Sequence, residues 1–413
     1  MYDAIVVGAR VAGAPTAMLL ARKGYRVLLL DRDSFPSDIM STHFITQPGV
    51  AQLNRWGLLH EVAATGCPPI SRLRNAFGPI VLNGTPPPLE GAGASYCPRR
   101  TLLDDILVRA AVAAGAELRE GFAVDEVLFE DGAVSGVRGR VRAGGAQATE
   151  TARVVIGADG LHSRVAAAVQ PAEYNTRPGT TCGYYSYWSG IPDEGAAITW
   201  GPERIVFRFP TNDGLTCLAM EMPKTAFAAF REDIEGNFTR GMAAATPELA
   251  ALAAAGRREE RFVGASNLPN FYRKPFGPGW ALVGDAGYHK DPVTGQGIAD
   301  AFRDAELLAE ALDAGFAGRQ PVAAALAGYE QQRNAATAAI YETTCQLAGF
   351  APPTAEQLAL LAAISASQAD TDRFFGIMSG SVNPEEFFTP ANIGRIMANA
   401  QGAGLNLAPV PAQ

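Results

Sequence analysis

The sequence predicts an α/β fold in which a parallel layer suited to a dinucleotide is interleaved with an antiparallel sheet and followed by a helical C-terminal segment. Three observations predict it. Residues 3–31 read as strand, glycine turn, helix and strand; residues 180–222 read as alternating strands with short turns; and residues 280–312 return to strand then helix. A chain that leaves one kind of layer and comes back to it predicts two interleaved domains, not two in tandem.

DAIVVG (residues 3–8) is an apolar run ending in glycine, the pattern of a strand buried on both faces. The following helix has Pro15 in its first turn, apolar Ala17, Leu19 and Leu20, and Gly24 at its end. YRVLLLD is the second buried strand. It ends at Asp31, eighteen residues beyond Gly13, close to the ~20 at which an acid meets a ribose hydroxyl. The glycine fingerprint reads G-x-R-x-x-G, with Gly8 and Gly13 in the outer places and Arg10 in the middle one. Gly8 permits the tight turn, Gly13 permits close helix–strand packing, and free helix N–H groups face an anion. Arg10 has two readings. Its guanidinium can replace the lost backbone approach with a charge-assisted bond to phosphate, or it can point outward and pair with an acid at the surface.

NGTPPPLEGAGA (83–94) is a turn-rich loop separating two elements of a second layer. TLLDDILVRAAVAAGA follows as a helix with Leu103, Ile106, Leu107, Ala110 and Ala114 at helical spacing and Gly115 at its end. Residues 116–156 hold short strands with glycine turns. From about residue 180, GYYSYWSG, AAITW, RIVFRF and LTCLAME form a meander whose turns are IPDEG, GPE and PTNDG. Alternation sends Tyr185 and Tyr187 to one face and Tyr184 and Trp188 to the other; one face lines a pocket, and periodicity does not say which. Ile205, Phe207 and Phe209 share a face, with Arg204, Val206 and Arg208 opposite. MAAATPELAALAAAG reads as one surface helix, and the chain beyond GWALVGDAG is mostly helical.

Composition excludes several classes of function. At 413 residues and 48% hydrophobic, the chain can bury a large core over two or three domains. Lys and Arg total 34 against 42 acids, a net charge of −8 with no block of like charge, so neither nucleic acid nor an anionic membrane surface is expected as partner. Cys67, Cys97, Cys182, Cys217 and Cys345 contain no C-x-x-C pair, so the expectation is ordinary buried thiols, with neither a metal site nor disulfides. No basic region or separate apolar segment precedes Tyr2, and no apolar run approaches the ~20 residues of a membrane span. The expectation is a cytoplasmic protein acting on a small molecule.

Two further motifs carry chemistry. VVIGADGLHSRV ends a strand with Asp159 and Gly160. WALVGDAGYHKDPVTGQGIADAFRDAELLAEAL is an apolar strand, an acid, a glycine-rich loop and a long amphipathic helix. Asp285 is placed there for a polyol hydroxyl, and PVTGQG offers free N–H groups at a helix N-terminus. In this order and at these distances, the three motifs resemble the flavin monooxygenases of the para-hydroxybenzoate hydroxylase fold, over about residues 1–345.

The resemblance implies a Rossmann-like FAD-binding domain from residues 1–70, 96–178 and 262–345. A substrate-binding antiparallel-sheet domain comes from 71–95 and 179–261, and 346–413 is a helical C-terminal segment. It implies one bound FAD, NADPH or NADH as a transient reductant, and O2, one atom of which passes through a flavin C4a-hydroperoxide to the substrate. The absence of a second glycine fingerprint fits a nicotinamide cofactor that binds only transiently. By the family pattern Asp31 holds the adenosine ribose, Asp285 the ribityl chain, and Asp159 and Gly160 serve both FAD and the pyridine nucleotide. Arg100, opening an R-x-x-L-x-x-x-L helix, reaches the diphosphate; Arg99 is the alternative. Pro292, Gly295, Gln296, Gly297 and Ile298 lie along the flavin ring, and Ala12, Arg32 and Val124 complete the cofactor set with Gly8, Arg10 and Gly13.

Candidate substrate-pocket residues are His43, Tyr185, Tyr187 and Arg208, the arginine either pairing with an acidic substrate group or standing exposed. Tyr288 and His289 occupy a place where the family often has histidine directly after its G-D-x-x tetrad, and Ala299 stands where asparagine is common. His60 and His162 read as structural. The aromatic meander points to a small aromatic or polycyclic substrate. Three other readings share the fold or its motifs: a geranylgeranyl-reductase-like enzyme, a flavin-dependent halogenase, for which YWSGIP lacks the spaced tryptophans of W-x-W-x-I-P, and a non-catalytic flavin-binding protein.

Overall fold

The computed structural model describes residues 1–402 except 42 and 143. The buried run Tyr2–Val7 forms the centre of the first sheet, parallel to Val27–Leu30 on one side and Gln147–Gly157 on the other. Glu117–Arg119 extends it beyond Val27–Leu30, and Trp280–Leu282 lies parallel to the far side of Gln147–Gly157. Helix Gly13–Arg22 follows the first strand, and helices Arg100–Ala113 and Gly297–Phe316 pack with it over one face of the sheet. A hairpin, Phe122–Glu130 with Ala133–Val141, joins the strand Gln147–Gly157.

The second sheet runs Arg257–Arg258, Thr181–Ser189, Thr216–Pro223, Arg204–Pro210, Ala196–Gly201, Leu73–Phe77, Ile80–Gly84. Its meander is antiparallel as expected, but Leu73–Phe77 joins Ala196–Gly201 in parallel. The boundary expected at residue 262 shifts, because Val263–Ala265 pairs with Thr181–Ser189. Alternation sorts the two faces. Tyr184, Trp188, Val206, Leu218 and Met220 pack under helical Phe230, Phe238 and Met242, while Tyr187, Ile205, Phe207, Phe209 and Cys217 form a separate cluster on the other face.

The alanine-rich stretch is not one helix. Thr246 ends helix Ile234–Ala245, and Pro247, which lacks the N–H a continuing helix needs, opens a new one to Ala255. The C-terminal segment is helical at Ala355–Ser365, Gln368–Met378, Pro384–Phe387 and Pro390–Gly402; residues 403–413 lie outside the described residues. It has its own apolar cluster, with Phe375, Phe387 and Ile396 on Leu82 of the second sheet. Four of the five cysteines are buried and the fifth half-buried, and none is in a disulfide.

Candidate active site

One cavity of about 960 Å³ runs between the two sheets, at the upper end of the range usual for ligand pockets. Its first end is built by the turn after Tyr2–Val7. Gly8 has φ +98°, and a Cβ there would lie 2.5 Å from the Ala158 carbonyl oxygen. Gly13 lies outside the cavity wall and is a packing residue: a Cβ there would lie 1.7 Å from the Gly8 oxygen. Asp31 accepts the Ala9 N–H at 2.7 Å and the Asp33 N–H at 2.9 Å, which orients its carboxylate at the cavity wall. Burial raises its pKa, against the opposing pull of those two N–H groups and of Arg10. Ala12, Arg32 and Val124 line the same end.

Arg10 does not point outward. Its guanidinium lines the cavity and bonds Asp104 at 2.7 Å, Asp33 at 3.2 Å and the Ser37 hydroxyl at 2.9 Å. Asp104 is fully buried and also receives Arg100 through two bonds, at 3.0 and 3.1 Å. Arg10 and Arg100, both at the cavity, therefore share one carboxylate. Arg99 turns away to Glu260 and Asp38 and lies over the Tyr187 ring.

At the middle of the cavity, Asp159 accepts the Ser163 hydroxyl at 2.5 Å and the Arg164 N–H at 2.6 Å, with burial raising its pKa, and Gly160 follows at φ +76°. Asp285 is exposed to the cavity between buried Gly284 and Ala286. The loop that follows lines the cavity from Pro292 to Ile298. Asp291 caps its turn at Val293 N–H, Gly295 bends it at φ +64°, and Gly297 opens the helix Gly297–Phe316. The Gln296 amide donates to the Met378 carbonyl at 3.1 Å, so the C-terminal segment is tied to this loop.

The second sheet supplies the far wall. Tyr185, Phe207, Phe209, Ile198 and Ala219 line it, and Phe44 stacks on Phe209 at 4.9 Å. Burial pushes the Tyr185 phenol up to about 12. His43 and Tyr187, expected in the pocket, lie behind this wall. Their side chains hydrogen-bond each other, His43 is fully buried against both tyrosine rings, and neither residue borders the cavity. Burial, then the charges of Arg100 and Arg99, push His43 down to about 3, so it stays neutral. Arg208 also misses the cavity: it is on the opposite face and pairs with Glu194 at 2.9 Å.

His289 lines the cavity and its Nδ1 hydrogen-bonds the Pro269 carbonyl, while Tyr288 is buried among Tyr272 and Tyr341. His60 is outside the cavity, but His162, expected to be structural, is exposed at its wall. Sequence reasoning missed Glu221 and Asp291, both buried at the cavity, and Phe375, Met378 and Ser379 of the C-terminal segment. The strand pattern LTCLAME, which puts Cys217, Ala219 and Glu221 on one face, was the available signal for Glu221. Among the described residues no cluster of side chains is suited to a metal ion.

A family model described as an FAD binding domain matches residues 1–344. The chain belongs to this family. The residues fit FAD: buried Thr46 at the cavity has a hydroxyl without a partner among the described residues, and Asp31 and Asp285 line the cavity with carboxylates. This FAD-dependent oxidoreductase has the para-hydroxybenzoate hydroxylase type of fold. It is 28% identical over 329 residues to digeranylgeranylglycerophospholipid reductase 2 of Methanothermobacter thermautotrophicus, covering 76% of this chain and 79% of that one. It is 29% identical over 356 residues to kynurenine 3-monooxygenase of Salinispora arenicola, covering 80% and 75%. The myxobacterial chondrochloren halogenase CndH superposes with a TM-score of 0.76 at 22% identity, over 100% of this chain and 98% of that one. No helix among the described residues is long and apolar enough to cross a membrane.

Proposed function

We propose that the protein is an NAD(P)H-using monooxygenase that inserts one oxygen atom from O2 into a small aromatic or polycyclic substrate. The observation that carries this reading is the ring-lined wall formed by Tyr185, Phe207, Phe209 and Phe44, which shares one cavity with the 292–298 loop. Flat apolar walls suit flat apolar ligands, and a compartment with few polar atoms excludes water from reactive oxygen chemistry. FAD, when bound, supplies hydride acceptance and oxygen activation. Around it, Asp31 and Asp285 would accept sugar and polyol hydroxyls, and Arg100 and Arg10 would meet the diphosphate. N–H groups of residues 296–298 would meet electron-rich ring atoms, and Tyr185 would close the substrate side. The absence of a second glycine fingerprint supports a nicotinamide cofactor that enters and leaves.

Similarity to the geranylgeranyl-type reductase supports a second reading, reduction of a prenyl double bond, which the apolar wall also accommodates. Halogenation has less support, because Trp188 packs against Phe238 and Phe262 on the helix-covered face. The deciding experiment is to reduce the FAD-loaded protein without oxygen, mix it rapidly with oxygenated buffer and follow flavin absorbance. A transient species distinct from reduced and oxidised flavin is the expected result. Direct return to oxidised flavin, with and without aromatic ligands, overturns the monooxygenase reading and moves the reductase forward.

A further inference from the structure

The cavity-facing side of the second sheet is mostly apolar, with Asn75 beside Ile198 on one strand and a single acid, Glu221, at the end of another. Along strand Thr216–Pro223 the residues on that side are Cys217, Ala219 and Glu221. Glu221 is 6% exposed and borders the cavity, and its Oε2 has no hydrogen-bond partner among the described residues. Its neighbours across the ladder are Ile205 and Gly183. A Cβ at Gly183 would lie 3.2 Å from the Glu221 Cγ, so a larger residue there would press on the Glu221 side chain.

Among the described residues no cation pairs with this carboxyl. Lys290, the nearest lysine along the cavity wall, pairs with Asp300. The charged neighbour is another acid: buried Asp291, which is held by the Thr181 hydroxyl and the Val293 N–H and whose own N–H donates to Asn270. The other titratable groups around the pair are His289 and Cys345, which interact with Asp291, and the buried Cys182 thiol with Lys224 near it. A buried carboxyl with an acid beside it and no cation is more stable with its proton on. Burial, then the Asp291 charge, hold Glu221 well above the ordinary glutamate range. An acid that keeps its proton is a donor, and this one has its acceptor place free.

We propose that Glu221 is the specificity-determining residue of the substrate compartment: its carboxylic acid donates a hydrogen bond to a carbonyl or phenolic oxygen at one end of an otherwise flat, apolar substrate. This rests on reading the ring-lined wall as the substrate side. It sorts ligands by head group. A neutral acceptor gains a bond, a carboxylate meets two acids, and an ammonium finds no ready anion at Glu221.

The test uses the FAD-loaded protein and three probes, 2-acetylnaphthalene, 2-naphthoate and 2-naphthylmethylammonium, with binding read from perturbation of flavin absorbance. The ketone binds wild type best. Glu221→Gln, which keeps a donor and cannot ionise, holds it within about twofold, and Glu221→Leu loses about tenfold. Equal ketone affinity in Glu221→Leu overturns the proposal, as does tightest binding of the ammonium with loss in Glu221→Gln. If no probe binds wild type, both this proposal and the aromatic-wall reading fall. If the ketone result holds and the oxygen-mixing experiment fails, the recognition role stands and only the monooxygenase reading falls.

A measurement without ligand stands beside it. Because the folded protein releases this proton at higher pH than the unfolded chain does, burial of Glu221 costs stability progressively as pH rises above about 4.5. Glu221→Gln lacks that cost, so its thermal midpoint exceeds that of wild type by more at about pH 8 than at about pH 5. The same difference at both pH values overturns the uncharged state.

Discussion

Asp104 explains why Arg10 can stand where a fingerprint glycine is usual. A fully buried carboxylate bound to two guanidiniums fixes both arginines in the cavity wall. Arg10→Gly therefore removes a cavity-facing charge and one partner of a buried acid. We expect FAD affinity to fall about tenfold, with the difference shrinking as salt is raised, and the thermal midpoint to fall as well. Unchanged affinity by titration at all salt concentrations would assign Arg10 to packing alone. The sequence could offer both readings of Arg10 but not choose, because Asp104 lies 94 residues away. His43 went astray for a related reason. Nearness in sequence to a cofactor segment says nothing about which side of Tyr185 a ring takes. Its burial has a measurable consequence. The unfolded chain gains a proton at the ordinary 6.5 while the folded protein resists until about 3, so stability is retained above about pH 6.5 and lost as pH falls through that window. His43→Gln, which cannot take the proton, should flatten this part of the stability–pH curve measured by urea unfolding. A curve of unchanged slope would mean that His43 takes up its proton as readily in the folded protein as in the unfolded chain.

At the scale of elements, the strand–turn–helix start was readable because every signal there is local. An apolar run, two glycines, a proline near the helix start and an acid at the next strand end all fall within residues 3–31. The structure adds the reason the turn admits no side chain. Gly8 combines positive φ with a backbone carbonyl 2.5 Å from its missing Cβ. Gly8→Ala should cost about 1–3 kcal/mol and displace the turn from the phosphate end. Purified Gly8→Ala protein is expected to come without yellow colour and to bind added FAD weakly; full flavin content would show that the Ala158 strand end can yield. The meander was legible by alternation in the same way. What periodicity could not deliver were pairings between distant segments: Leu73–Phe77 lying parallel to Ala196–Gly201, and Val263–Ala265 returning to Thr181–Ser189. The broken alanine helix is different, since Pro247 was a visible breaker outweighed by the alanines around it.

At the scale of the molecule, the C-terminal segment completes the cavity, which nothing in its own sequence announces. Its helices pack through Phe375, Phe387 and Ile396 onto Leu82 at the outer edge of the second sheet, and the same helix ends at Met378, whose carbonyl holds Gln296 of the 292–298 loop. Phe375 faces both ways, into that cluster and into the cavity. A cover secured by one apolar cluster and a few side-chain hydrogen bonds (Gln296 to the Met378 carbonyl, Gln368 to the Asn83 carbonyl, the Thr85 N–H to Asp372) is less firmly held than the central sheet, so it is the element through which a small molecule gains entry most cheaply. Phe375→Ala should cost about 3–5 kcal/mol of stability, since the ring is 2% exposed and backs directly onto Gly84. It should also open the cavity to solvent, so that iodide quenches the fluorescence of bound FAD more strongly than in wild type. Phe388→Ala provides the comparison: its ring is 42% exposed on the same segment, and neither stability nor quenching should change by much. If Phe375→Ala lowers stability while quenching stays at the wild-type level, the segment only buttresses the second sheet, and solvent is kept from the flavin by the 292–298 loop and Phe44 instead.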